Sequence, residues 1–388
     1  MKHIKKINYL ILILIAFMIG ITVAAIIHNH DVYTHWWGHI LVILGTILVA
    51  VSIHELTHAF VFSIKKIKIK AVYIFIFMFI RKKKYFKVKV NPKLILLGGG
   101  LVVPLLPPIT NDEEMEEVGK AISKSLIAAP IASIVLGLLW FVSFLLILSF
   151  SGNFVLIALS ISSTFTILIL TVLINLASSV SSEMAAGDYV AYKRVLEDKD
   201  FLLQVISSYI SFNPEADELS REYLNAKKDD YLLQKTISNS LIGQYFAMDY
   251  LYDVIFKERE RNIEIDKKIA KLSRHSLKKS NEGVTLIYLT AYNFYVTGEI
   301  EKAFELVNWL ENIAGAKLAN KHLEYEKRRA KYLLNISDEL PFLLDKKNQY
   351  VGYDWILEPL IDDKTDYSLL QPLKPGIKKP QVKFFNKI

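Results

Sequence analysis

Two histidines four residues apart, with a glutamate directly after the first, make His54-Glu55-Leu56-Thr57-His58 the stretch best equipped for chemistry in this 388-residue sequence. On a helix, positions i and i+4 share one face, so both imidazoles can address a single metal ion. Glu55 lies round the axis from them and would reach a water activated by the ion rather than the ion itself. Zinc lowers the pKa of such a water to about 7, and a carboxylate acting as general base takes its proton as the oxygen attacks an amide carbonyl. Composition alone predicts only about 0.01 copies of this pattern in a chain of this length.

A catalytic zinc site usually takes three protein ligands and leaves the fourth position for water. After His58 the next histidine is His275, so the third donor is expected to be a carboxylate. Two acidic residues, Glu183 and Asp188 in SSEMAAGDY, follow the last apolar run closely, and spacing leaves both open. With no cysteine in the chain, thiolate nucleophiles, Cys-ligated metal sites and disulfide scaffolds are excluded.

The elements that must hold these residues are apolar. The motif lies inside a run from about Gly38 to Ile64, entered past Trp36-Trp37 and left into Lys65, Lys66, Lys68 and Lys70. Asp, Lys and Arg at such a depth cost about 2.5–3.5 kcal/mol each on the insertion scale, and ionisable groups there are rare unless function retains them. Three more runs are long enough to cross about 30 Å of hydrocarbon: Tyr9 to Ile27, read as an uncleaved anchor, Ala121 to Phe150, and Phe154 to Leu176. The excess of lysine beside them puts the N-terminus and residues 65–93 in the cytoplasm. At about 1.5 Å per residue, His58 then sits about 10 Å and His54 about 16 Å below that surface.

Between the second and third runs, Ala71–Ile80 is too short to cross as a helix and reads as a strand, with Lys84–Val90 alternating as its partner. Residues 94–109 are apolar but carry Gly98-Gly99-Gly100, Pro104, Pro107 and Pro108, and read as a re-entrant loop. A loop that does not cross also keeps 183–188 on the same side as the histidines.

Charge divides the chain. Residues 1–189 hold 16 Lys+Arg against 9 Asp+Glu, whereas 190–388 hold 31 against 30, so the basic excess belongs to the apolar half. A mean hydropathy of +0.30 beside an ordinary 22% of charged residues fits one chain in two solvents. Basic residues beside membrane spans, rather than on a soluble face, argue against nucleic acid as a partner. The second half reads as all-α, and Ala291, Phe294, Gly298 and Ala303 match a tetratricopeptide-type helix hairpin. The tail from Gln371, with its lysines and Phe384-Phe385, is expected to be poorly ordered.

These residues resemble the site-2 protease family of intramembrane zinc metalloproteases, peptidase family M50, over about residues 10–195. The resemblance rests on HELTH near the cytoplasmic end of a span, a hairpin-like stretch after it, Ala128-Ala129-Pro130-Ile131-Ala132-Ser133 opening the next span, and Gly187-Asp188 after the last. It implies His54, His58 and Asp188 as zinc ligands, with Glu55 as general base. Ala129 stands where the family has Gly, Ser133 where it has Asn, and Tyr189 where a Gly follows the Asp. Asn175 answers to the family's upstream Asn, with a role in positioning the substrate strand or the oxyanion.

The expected molecule is an α-helical polytopic membrane protein. About four transmembrane helices and a short membrane-associated β-hairpin and re-entrant loop precede an all-α cytosolic C-terminal domain. Residues 1–195 form the metalloprotease domain, 196–370 the helical domain and 371–388 the basic tail. Its expected activity is zinc-dependent cleavage of a membrane-embedded or membrane-associated protein or peptide, with both termini cytoplasmic and a protein partner on the helical domain. The alternative is a non-catalytic membrane scaffold or immunity protein.

Overall fold

The structure is a computed structural model and describes residues 11–20, 35–82, 85–97, 99–183, 186–211, 218–257, 259–314, 321–345, 348, 360 and 370–376. The chain divides into two compact units, 1–216 and 217–388.

In the first unit, three helices are long and apolar enough to cross a membrane: α2 (Trp36–Ile64), α3 (Asp112–Phe150) and α4 (Phe154–Ala177). Only 22–33% of their most apolar windows is buried inside the protein, so most of that apolar surface requires a non-aqueous neighbour. Of the expected first span, only α1 (Ile11–Gly20) lies within the described residues; its Ile11 and Met18 pack against Phe141, Phe144 and Ile167. The 39-residue α3 spans roughly 58 Å, longer than the hydrocarbon, which leaves room for its acidic first turn outside. Asn111 caps it by accepting from the Glu114 N–H, and Glu114 in turn accepts from the Thr110 N–H at 2.6 Å.

Helix α4 carries several hydroxyls and an amide into the bundle, and itself supplies acceptors for their donors. Thr164 Oγ1 donates to the Ser160 carbonyl, Thr171 Oγ1 to that of Ile167 and Asn175 Nδ2 to that of Thr171, each four residues back. On the Trp36 side, His39 Nδ1 pairs with Ser162 Oγ and His35 stacks on Trp37; His28 and His30 lie outside the described residues.

Between α2 and α3 the chain builds a four-stranded antiparallel sheet, not the single hairpin that the sequence suggests. Its strands are β1 (Lys68–Ile74), β2 (Phe77–Arg81), β3 (Phe86–Val90) and β4 (Gly100–Leu105), in the order β3-β2-β1-β4. The apolar run 71–80 is not one strand, because the chain reverses at Phe75-Ile76, with Phe75 at φ 56°. Neither Gly nor Pro marks that turn. The stretch expected as a loop holds a 3₁₀ turn (Pro92–Leu97) followed by β4, which pairs with β1 from Ile74↔Gly100 to Lys68↔Leu105. Pro104 is tolerated because β4 is an edge strand and the register shifts beside it, between Ile69 and Ala71. After α4, the short helices α5 (Asp188–Glu197) and α6 (Lys199–Ser211) complete the unit, so α6 belongs with the membrane helices although it lies beyond residue 195.

The second unit is helical among its described residues. Its main helices are α7 (Glu218–Gln234), α8 (Leu241–Phe256), α9 (Ile263–Ala270), α11 (Asn281–Val296), α12 (Ile300–Ala314) and α13 (Lys321–Leu333), with the short α10 (Arg274–Leu277) and α14 (Leu340–Leu344). Helices α11 and α12 form the hairpin read from Ala291, Gly298 and Ala303. Both alanines are fully buried at the crossing, and Gly298 takes φ 86° at the turn. Residues 371–376 are not a free tail. The Leu373 N–H donates to the Leu333 carbonyl and the Gly376 N–H to that of Tyr295, strapping this segment to the hairpin; residues 377–388 lie outside the described residues.

Candidate metal centre and active site

Each part of the site is carried by a different element. On α2, His54 and His58 point to one side, with ring centroids 5.1 Å apart and planes at 83°. Asp188, the first residue of α5, brings Oδ2 to 3.2 Å from His54 Nε2 and 3.7 Å from His58 Nε2. All three ligand atoms lie within 4.8 Å of one another. Glu183 does not join this cluster; its backbone carbonyl accepts from Arg194 at 2.8 Å.

The far side of each imidazole is held by a serine of α3. His54 Nδ1 lies 3.0 Å from Ser133 Oγ, and His58 Nδ1 lies 3.1 Å from Ser125 Oγ. The serine hydrogens are already committed: Ser133 Oγ donates to the Ala129 carbonyl and Ser125 Oγ to the carbonyl of His58 itself, each at 3.2 Å. Each Oγ therefore accepts from Nδ1–H, which assigns that tautomer and turns Nε2 towards Asp188. Two Nε2 atoms and a carboxylate oxygen facing one another form a donor set that suits zinc.

Asp188 reaches the histidines through a tight return of the chain. Ser181 and Ala186 form an isolated bridge, and the Gly187 N–H donates to the Val180 carbonyl. A Cβ on Gly187 would lie 2.2 Å from the Ala177 carbonyl oxygen, so only glycine fits there. Tyr189 is anchored twice, its N–H donating to the Ser178 carbonyl and its hydroxyl to Asn175 Oδ1. The amide of Asn175 is thus divided between Tyr189 and the Thr171 carbonyl, and its side chain, fully buried, does not line the cavity.

Glu55 is buried and receives the backbone N–H of Gly100, the first residue of β4. Here too a side chain is excluded: a Cβ on Gly100 would stand 2.4 Å from Glu55 Cγ and 2.2 Å from the Tyr73 carbonyl oxygen. A cavity of about 570 Å³ opens on these groups, walled by apolar residues of α2, α3, α4 and β4 and by Tyr209 of α6.

A family model for peptidase family M50 matches residues 42–317. The chain belongs to that family. No curated protein and no solved structure matches it. The M50 match extends well past the apolar half, into the helices of the second unit. M50 peptidases are zinc metalloproteases, and membership together with three apolar helices makes this a membrane protein of the metalloprotease type.

Sequence reasoning selected His54, Glu55, His58 and Asp188, and these residues do meet. It did not assign parts to Ser125, Gly100 or Tyr209. Ser133 entered only as a departure from the family pattern. Ser125 and Ser133 are eight residues apart on α3, a spacing that places both on one face, but nothing in the sequence says which face meets α2.

Proposed function

We propose that the protein is an intramembrane zinc endopeptidase that cleaves a peptide bond in or near the membrane-embedded part of a protein or peptide substrate. The observation that carries this reading is the convergence of His54, His58 and Asp188 beside a buried Glu55, in a cavity walled by helices apolar enough to span a bilayer. His54, His58 and Asp188 would hold the metal. Bound there, zinc would supply Lewis acidity towards the carbonyl and a water acidic enough to attack near neutral pH.

The chain's own groups do the rest. Glu55 takes a proton from the attacking water and later delivers it to the amide nitrogen as that bond breaks. Ser125 and Ser133 keep the imidazoles in one tautomer. The apolar walls limit water to what the polar cleft admits, and the substrate must present an unwound segment, because a helical amide is shielded. Strand β4 stands at the end of the sheet beside Glu55, so its outer edge would receive such a segment by strand addition. The orientation that fits has residues 65–93 and both termini in the cytoplasm, with the helices beyond α6, in the second compact unit, as a partner-binding domain.

Metal content of the full chain in detergent tests the reading. One zinc per chain is expected, lost in His58→Ala and Asp188→Ala but kept in Glu183→Ala. Glu55→Gln should keep zinc and hold substrate uncleaved. Absence of zinc from the wild type after supplementation would reject the peptidase reading in favour of a scaffold. Val102→Pro, which breaks β4, should abolish cleavage with zinc retained; unchanged cleavage would exclude strand addition.

A further inference from the structure

Tyr209 has no part in the assignments above, yet it lines the same cavity as His54, Glu55, His58 and Asp188. It comes from α6, which is anchored by fully or nearly fully buried Phe201, Leu202, Ile206 and Ile210. That helix packs on α5, which carries Asp188, and on β4, which carries Gly100. Leu202 presses against Gly119 of α3, so α6 is held from two sides. The phenol is therefore presented by a fixed element.

The Tyr209 hydroxyl makes no hydrogen bond to any other described residue, whereas Tyr189, Tyr231 and Tyr250 all use theirs. A half-buried phenol without a protein partner, opening onto the cavity that holds His54, Glu55, His58 and Asp188, is a donor held for something that enters it. Burial, with the nearby carboxylates of Asp188 and Glu55, pushes its pKa up to about 12. It therefore carries its proton at neutral pH and cannot compete with Glu55 as a base.

Resting on the peptidase reading, we infer that Tyr209 is a further catalytic residue, whose O–H donates to the scissile carbonyl oxygen as that oxygen gains charge. In the addition step the water oxygen bonds to the carbonyl carbon, the π pair moves onto the carbonyl oxygen, and Glu55 takes the water proton. In the collapse step that pair re-forms the double bond, the C–N bond breaks with its electrons remaining on nitrogen, and Glu55 protonates the nitrogen. Tyr209 keeps its proton throughout; only its hydrogen bond strengthens. A donor aimed at developing charge favours the transition state over the ground state, and loss of one such donor costs about 10²–10³-fold in kcat.

The test compares wild type and Tyr209→Phe, as full chains in detergent, with two probes of identical leucine-rich sequence. One is a phosphinic pseudopeptide, whose tetrahedral anion mimics the addition product; the other is the plain peptide, bound in a Glu55→Gln background. Tyr209→Phe should keep zinc and the plain-peptide affinity but lose about 10²-fold in phosphinate affinity. Equal phosphinate affinity in both proteins, or loss of zinc from Tyr209→Phe, would overturn the role assigned to Tyr209. A wild type that binds zinc but neither probe would instead reject the peptidase reading, and the role of Tyr209 with it.

Discussion

Ser125 grips His58 at two points, its Oγ accepting from Nδ1 and donating to the same residue's backbone carbonyl. Side chain and main chain are fixed together, so the imidazole can neither rotate nor change tautomer without breaking a buried bond. Ser133 does the equivalent for His54, using Ala129 of its own helix. Removal of outer partners of this kind typically costs 10–100-fold in metal affinity. Ser125→Ala and Ser133→Ala should each weaken zinc binding by about that factor in a chelator competition. Ser125→Ala is expected to show the larger loss, because it also leaves the His58 carbonyl without that donor.

Gly187 precedes Asp188, the proposed carboxylate ligand, and lies against the last turn of α4. Gly187→Ala would force a methyl to within 2.2 Å of the Ala177 carbonyl, and backbone cannot move aside as a side-chain tip can. The first turn of α5 must shift, taking Asp188 with it. The expected result is loss of zinc, measured by elemental analysis, with helical content by circular dichroism unchanged.

Gly100→Ala separates metal binding from catalysis. The new methyl would meet Glu55 and the Tyr73 carbonyl, pushing β4 away from the proposed general base while leaving His54, His58 and Asp188 in place. Displacements of about 1 Å can cost about 10²-fold in rate. Zinc stoichiometry should therefore stay at the wild-type value while cleavage falls by about that factor.

Tyr189→Phe removes the donor to Asn175 Oδ1 and leaves a fully buried amide oxygen without it. Stranding such a group costs about 1–3 kcal/mol. Thermal unfolding of the purified protein should show a lowered midpoint, and zinc should bind more weakly because Asp188 is the neighbouring residue. Asn175→Leu should reproduce both effects, since it breaks the same bond from the other end.

Much of this was legible in the sequence because the relevant signals are local. The histidine spacing fixes a shared helical face, and three runs of apolar residues became helices of nearly the expected extent. Asp188 was selected by its place after the last span and by resemblance. What escaped was set by tertiary contact. Strand β4 lies in a Gly- and Pro-rich stretch with no alternation, and is a strand because β1 is there to pair with it. Phe75 turns at positive φ without a glycine to announce it. Ser125 and Tyr209 reach the site through the packing of α3 and α6, which no periodicity encodes.

Helix α4 places its hydroxyls and the Asn175 amide in the bundle, yet each of the groups described donates to a carbonyl of the same helix. The donors of such a segment carry their own acceptors with them, and Asn175 Oδ1 is the group that waits for a neighbour, Tyr189. During biogenesis α4 can therefore partition into the lipid as an independent segment. The association that brings Tyr189 to Asn175 and Asp188 to the histidines then follows as a later stage of assembly.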